Sequence, residues 1–325
     1  MITLIVGALI VLVVIVVALV GFSAFTAWRV EKALPPRGKF VEVEGARIHY
    51  LEKGAGSAIV MVHGLGGQSG NFTYGLVGQL ANEFRVVVID RPGAGYSTRA
   101  SEDSARLGAQ AKQVAEFIRK LGLERPLVVG HSLGGAIALR VGLDFPEAVS
   151  GLALVAPLTQ LPAQVPEMFR PLDIRSKTWR RVVSWTLGVP IGILRGPGIV
   201  KRIFAPEKVP ADFAVRGGGL LSLRPWNFYN VSTDLVESGP ELPGMVARYG
   251  SLRVPVAILY GTSDEVLDYR IHGEGTKEKI PGLKLKLVEG GHMLPVTAPE
   301  VTAEFIREET RRMFVGREAK MGIGK

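Results

Sequence analysis

The longest run of apolar residues is the first. From Ile2 to Trp28 no side chain is charged, and Ile10 to Val20 is almost pure valine, isoleucine, leucine and alanine. A helix rises about 1.5 Å per residue, so roughly 20 apolar residues cross a bilayer, and this run exceeds that length. It reads as a transmembrane helix over residues 1–29, with Trp28 at the interface. The competing reading is a cleaved signal peptide; against it, the run is too long for an h-region, no basic n-region precedes it and no A-x-A site follows. Arg29, Lys32, Arg37 and Lys39 come after the run. By the positive-inside tendency the amino terminus is then outside and the large domain on the cytoplasmic face of the membrane. Pro35-Pro36-Arg37-Gly38 breaks the helix and gives a linker over residues 30–39.

Short apolar runs then alternate with helically spaced ones. Phe40 to Val43 and Arg47 to Glu52 read as a hairpin turning at Glu44-Gly45. Strands are predicted at Ala58 to Val62, Arg85 to Ile89, Leu127 to Val129, Gly151 to Val155, Val256 to Tyr260 and Leu283 to Val288. Ala58 to Val62 has the unbroken apolar pattern of a strand buried on both faces. Helices are predicted at Asn71 to Asn82 and at Pro299 to Phe314. Another spans Ala105 to Leu121, where Val114, Phe117, Ile118 and Leu121 recur at helical spacing and Gly122 stops the run. The alternation ceases between Pro157 and Val254. The pattern therefore predicts an α/β domain with a mostly parallel sheet, made of residues 40–157 and 254–315 and interrupted by residues 158–253, with a frayed polar tail at 316–325.

Composition narrows the chemistry. A chain of 325 residues can bury a sizeable core. No cysteine is present, which excludes disulfides, thiolate metal sites and a cysteine nucleophile. The net charge of +9 fits either a nucleic-acid or an anionic lipid surface. No basic run is interleaved with aromatics in the manner of a nucleic-acid platform, so the charge reads as lipid-facing.

The chemistry is concentrated at strand ends. Gly130-His131-Ser132-Leu133-Gly134 is a G-x-S-x-G sequence between a predicted strand and a small-residue helical segment. The chain must reverse within one residue there, so Ser132 is expected in a strained conformation with flanking glycines relieving the crowding. A serine hydroxyl is a poor nucleophile at neutral pH and needs a neutral imidazole to take its proton, and an acid behind that imidazole fixes its tautomer. Asp264 and His292 each follow a predicted strand, giving the order serine, acid, histidine along the chain. Asp268 is the fallback acid, placed as a capping group a turn further on. His131 would be aimed away from its neighbour Ser132, His63 reads as a loop anchor, and His49 and His272 read as structural or exposed. After Ala58 to Val62 comes His63-Gly64-Leu65-Gly66-Gly67, whose glycines let the backbone approach a bound carbonyl, so that the Leu65 N–H points at a developing oxyanion. Asp90 to Ser97 reads as a structural turn, with Asp90 and Arg91 satisfied by backbone groups.

Taken together, HGLGG, DRPGAGYS, GHSLGG, YGTSD and GGH resemble the α/β-hydrolase fold family of lipases and esterases over Phe40 to Phe314. The resemblance implies Ser132 as nucleophile, Asp264 as acid, His292 as base, and the N–H groups of Leu65 and Leu133 as oxyanion donors. Serine at the elbow departs from the dehalogenases and epoxide hydrolases of the family, which carry aspartate there. The resemblance also implies that residues 158–253 form a helical cap over the site. The cap's mixture of Trp179, Trp185, Leu187, Ile191 and Leu194 with Arg175, Lys177, Arg180, Arg181 and Arg195 fits either amphipathic helices packed on the core or a cap resting on an anionic bilayer. Arg224 to Tyr229 is expected to border the pocket mouth. The implied function is hydrolysis of carboxylic esters through an acyl-enzyme, with no metal or organic cofactor. The substrate would be a lipid or monoacylglycerol ester, the bilayer a partner and nucleic acid none; the anchored arrangement is similar to membrane-bound monoacylglycerol lipases. Perhydrolysis or carbon–carbon bond hydrolysis on the same triad are the alternatives within the chemistry. A non-catalytic ligand-binding protein is the alternative from another class.

Overall fold

The computed structural model describes residues 1–322, and their side chains as far as residue 314. Eight strands form one sheet: β1 (Lys39–Val43), β2 (Ala46–Lys53), β3 (Ala58–Val62), β4 (Arg85–Ile89), β5 (Leu127–His131), β6 (Gly151–Val155), β7 (Val256–Gly261) and β8 (Lys284–Val288). Their order is β1-β2-β4-β3-β5-β6-β7-β8. The β1–β2 hairpin is antiparallel and β2 joins β4 antiparallel. From β4 to β8 every pairing is parallel. This arrangement brings the carboxyl ends of β3, β5, β7 and β8 to one edge of the sheet.

The period of two in the strands divides the core between the two faces of the sheet. Val60, Val62 and Val128 pack with Val114, Phe117 and Ile137 on one face. Ile59, Met61 and Val129 pack with Phe72, Leu76, Phe305 and Ile306 on the other. A strand covered on both sides must be apolar at every position, which is why β3, β5 and β6 are buried throughout.

The helices that matter for the site are α1 (Ile2–Ala33), α2 (Leu107–Lys120), α3 (Leu133–Asp144), α4 (Lys177–Trp185), α5 (Gly188–Phe204), α6 (Pro225–Ser238) and α7 (Pro299–Gly322). The apolar helix α1 runs past residue 29, so the linker contracts to the residues between Ala33 and Lys39. Its last turns do not hang free: Ser23, Ala27 and Val30, on one face, are buried, and α1 lies against α4, α5 and α6. The helix expected at Asn71 to Asn82 is two short ones, Gly70–Thr73 and Leu76–Leu80, parted at Tyr74-Gly75. A side chain at Gly75 would meet Pro299 at 2.8 Å, so the break lies where the chain packs closely against the start of α7. Helix α7 continues to Gly322, so most of the segment expected as a frayed tail is helical, and residues 323–325 lie outside those described. Residues 158–253 contain no strand and consist of α4, α5, α6 and shorter helical turns.

Candidate active site

Ser132 sits between β5 and α3 with φ 54 and ψ −121, a conformation that non-glycine residues rarely adopt. The turn is tight enough to exclude side chains around it. A Cβ at Gly130 would lie 2.5 Å from the Gly134 carbonyl oxygen, and one at Gly134 would lie 2.0 Å from that of Val62. Backbone bonds hold the serine: its N–H donates to Val155 O at 3.2 Å, and its carbonyl accepts from Gly135 and Leu158 at 2.8 and 2.9 Å. Because α3 begins at Leu133, the N–H groups and positive dipole end of that helix adjoin the Ser132 hydroxyl.

Asp264 follows β7 and His292 follows β8. His292 Nδ1 donates to Asp264 Oδ2 at 2.7 Å. The other oxygen, Oδ1, accepts from the N–H groups of Val266 and Leu267 at 2.8 and 2.9 Å. Burial by itself would raise the Asp264 carboxyl, but His292 and these two N–H groups outweigh it and hold the pKa below the ordinary carboxylate range. An ionised Asp264 only accepts, so Nδ1 of His292 carries a proton and Nε2 is the ring nitrogen left facing away from Asp264. Among the described residues Ser132 Oγ makes no hydrogen bond to His292, whose one side-chain bond is to Asp264. The fallback acid, Asp268, instead caps its own turn by accepting from Arg270 N–H at 2.8 Å.

The remaining histidines are all built into the scaffold. His131 Nε2 donates to the His292 carbonyl at 3.0 Å, and burial, with His292 nearby, pushes its pKa down to about 3. It therefore holds the backbone of the histidine paired with Asp264. His63 donates from Nδ1 to Gly64 O at 2.9 Å and accepts at Nε2 from the Arg91 N–H at 2.9 Å, as expected of a loop anchor. His272 is buried and accepts from the Thr159 N–H at 3.3 Å. His49 forms a second buried pair, with Asp90 at 2.8 Å, and also donates to the Arg37 carbonyl in the linker.

Two expectations about the loops need correction. Asp90 and Arg91 are not satisfied by backbone alone: Asp90 accepts from His49, and Arg91 donates to Gln110 and Asp234, each at 2.8 Å. Arg224 does not border the pocket mouth. It is buried under the end of α1, pairs with Glu31 at 3.4 Å and lies over the rings of Tyr96 and Trp226. Arg180 of α4 is likewise buried and is bonded to Glu102 at 3.0 Å. Glu207 of the cap was not singled out by the sequence; its carboxylate accepts from the Gly291 N–H at 3.0 Å, beside His292.

Ser132 opens into a cavity of about 110 Å³ lined by Leu65, Leu133, Leu161, Phe169, Leu235 and Leu267, among other mainly apolar residues. A larger, more open groove of about 600 Å³ lies at the exit of α1, between Leu34, His49, Tyr74 and Tyr96, and includes neither Ser132 nor His292. Of the two, only the smaller cavity is lined by Ser132.

Residues 57–192 match a family described as alpha/beta hydrolase fold. The chain has the α/β-hydrolase fold. Within this fold, an uncharacterised protein of Mycobacterium tuberculosis is 28% identical over 288 residues, covering 82% of this chain and 78% of its own. A thermophilic esterase from Thermogutta terrifontis superposes with a TM-score of 0.65 at 22% identity, over 85% of this chain and 99% of the esterase. A membrane phospholipase A, described as a bacterial virulence factor, superposes with a TM-score of 0.65 at 22% identity, over 97% of this chain and 99% of its own. That last match takes in most of α1. At these identities the structural likeness speaks for the α/β-hydrolase fold.

Proposed function

We propose that this protein is a membrane-anchored serine hydrolase that cleaves carboxylic esters through an acyl-enzyme, with lipid esters such as monoacylglycerols as substrates. The observation that carries this reading is a His292–Asp264 pair bonded at 2.7 Å at the same sheet edge as a serine strained into the open at the head of a helix. In the proposed reaction, His292 Nε2 takes the Ser132 proton as Oγ attacks the ester carbonyl. The N–H groups of Leu65 and Leu133 receive the oxyanion, and His292 returns the proton to the leaving alcohol. Water, deprotonated by the same imidazole, then releases the acid and restores Ser132. Asp264 stays ionised and holds the ring.

Support for a lipid substrate comes from the apolar lining of the cavity and from α1. One helix among the described residues, α1, is long and apolar enough to cross a membrane. A cleaved signal would discard the segment that buries Ser23, Ala27 and Val30 and supplies Glu31 to Arg224. We therefore read α1 as a retained anchor, with the domain on the cytoplasmic face. Trp179, Leu187, Ile191 and Leu194 are exposed on α4, α5 and the turn between them. These helices touch α1, and an anchored α1 would hold their apolar side chains near the bilayer surface.

Initial rates on p-nitrophenyl esters of increasing acyl length, with Ser132→Ala as control, test the reading. Activity rising from acetate to medium chains and absent in the variant is expected. Activity confined to acetate counts against a lipid ester, and activity surviving in Ser132→Ala counts against the serine mechanism.

A further inference from the structure

Arg91 is one of the largest fully buried side chains in the protein, and it carries a charge that the mechanism above does not use. Its bonds converge on the turn after β3. Nε donates to the His63 carbonyl at 2.9 Å and Nη2 to the Gly64 carbonyl at 3.0 Å. Nη1 reaches the other way, to Gln110 on α2 and to Asp234 on α6, each at 2.8 Å. The Gly64 carbonyl is held by two further donors, His63 Nδ1 at 2.9 Å and the Gly67 N–H at 3.2 Å.

That carbonyl belongs to the same peptide unit as the Leu65 N–H. A peptide is planar and trans, so its C=O and N–H point in opposite directions, and fixing one fixes the other. The unit lies against the nucleophile: a Cβ at Gly64 would stand 2.8 Å from Ser132 Cβ, and Leu65 and Ser132 line one cavity. In a glycine-rich turn such a peptide is otherwise easily rotated. A guanidinium can hold it because its fixed fork bonds adjacent carbonyls with one edge while a third nitrogen meets a carboxylate; an ammonium offers a single point.

We propose that Arg91 is a positioning residue that orients the Gly64–Leu65 peptide so that its N–H faces the oxyanion, and that Asp234 of the cap holds Arg91 in that role. The proposal rests on the reading of Ser132 and Leu65 given above. It links the cap to the chemistry, because Asp234 precedes Leu235, a wall of the Ser132 cavity. Arg99 also donates to Asp234, so loss of that carboxylate leaves two buried cations without their shared anion.

The test compares wild type, Arg91→Lys, Arg91→Gln and Asp234→Asn, each checked for folding by near-ultraviolet circular dichroism. The readouts are kcat and KM on p-nitrophenyl butyrate and the inhibition constant of a trifluoromethyl ketone, whose adduct with serine carries the oxyanion. With the Leu65 N–H misaimed, kcat is expected to fall by about 100-fold in the Arg91 variants, the scale of one lost oxyanion donor, and by about tenfold in Asp234→Asn. The inhibition constant should rise by the same factors while KM changes little. A purely structural role lowers the amount of folded protein without moving these ratios. Folded Arg91 variants with unchanged kcat and unchanged inhibition overturn the proposal. If they do not fold, Asp234→Asn decides, a parallel loss supporting the proposal and wild-type values rejecting it. Failure of wild-type Ser132 to react with a fluorophosphonate removes the underlying reading instead, whereas a reactive wild type with indifferent Arg91 variants removes this proposal alone.

Discussion

At Gly134 the space for a methyl group is already taken, since it would stand 2.0 Å from the Val62 carbonyl oxygen and 2.7 Å from that of His63. Both obstacles are backbone of the β3 strand and its turn, so neither swings aside as a side chain would. Gly134→Ala is therefore expected to destabilise the fold by about 2–3 kcal/mol, in the upper range for overpacking, as read from the denaturant midpoint. An unchanged midpoint would mean that β3 and the elbow are not packed this closely. The need for glycine on both sides of Ser132 was legible in the sequence, because G-x-S-x-G between a strand and a helix leaves few conformations. The His49–Asp90 pair was not legible. Alternation along β2 places His49 on the face of the exposed Arg47, and it is covered there by Phe40 of β1, by Asp90 and Tyr96 of the loop after β4 and by the returning linker. Those are long-range contacts that no local pattern announces.

Among the elements, the strands were the most readable: β3, β4 and β6 occupy the predicted residues. Short unbroken apolar runs bounded by glycine and polar residues have little other use in an α/β domain. The helices were less so. The pattern of Asn71 to Asn82 continues through Gly75, where the helix is interrupted against Pro299, and the docking of α1 on the cap includes a pair between Glu31 and Arg224, distant from it in sequence. That docking divides α1 functionally, with residues 2–18 exposed and the face of Ser23, Ala27 and Val30 buried. Deleting residues 1–18 is expected to leave the thermal midpoint in detergent within about 2 °C of wild type. Deleting residues 1–33 should lower it by roughly 5 °C or more, because it uncovers the cap and removes the counter-ion of Arg224. Equal midpoints for the two truncations would show that the end of α1 is a tether with no structural role.

The whole molecule carries buried imidazoles that contribute to its response to acid, beside carboxylates such as Asp90 and Asp264 that are held below their ordinary range. Burial pushes His63 and His131 down to about 3 and His272 down to about 4. These rings are neutral in the folded protein, whereas the unfolded chain binds their protons near pH 6.5. As pH falls from about 6.5 toward 4 the unfolded state gains protons that the folded state refuses, so stability declines across that window. His49 acts in the opposite sense. Burial alone would lower its pKa, but Asp90 raises it, so its contribution is present below about pH 6.5 and lost as pH rises through the raised value. With three depressed rings against one raised ring, the thermal midpoint should drop steadily from pH 7 to pH 4.5. A flat midpoint over that range would mean that these histidines are hydrated and free to titrate.

The proposed function rests on Ser132 acting as a nucleophile activated by His292. The most direct measurement is reaction of the detergent-solubilised protein with a fluorophosphonate, followed by peptide mapping of the modified residue and repeated with His292→Ala. The expected result is a single phosphonylated residue, Ser132, in the wild type and a labelling rate lower by at least about 100-fold in the variant. A folded wild type that remains unlabelled at Ser132, or a His292→Ala variant labelled as fast as wild type, would contradict it.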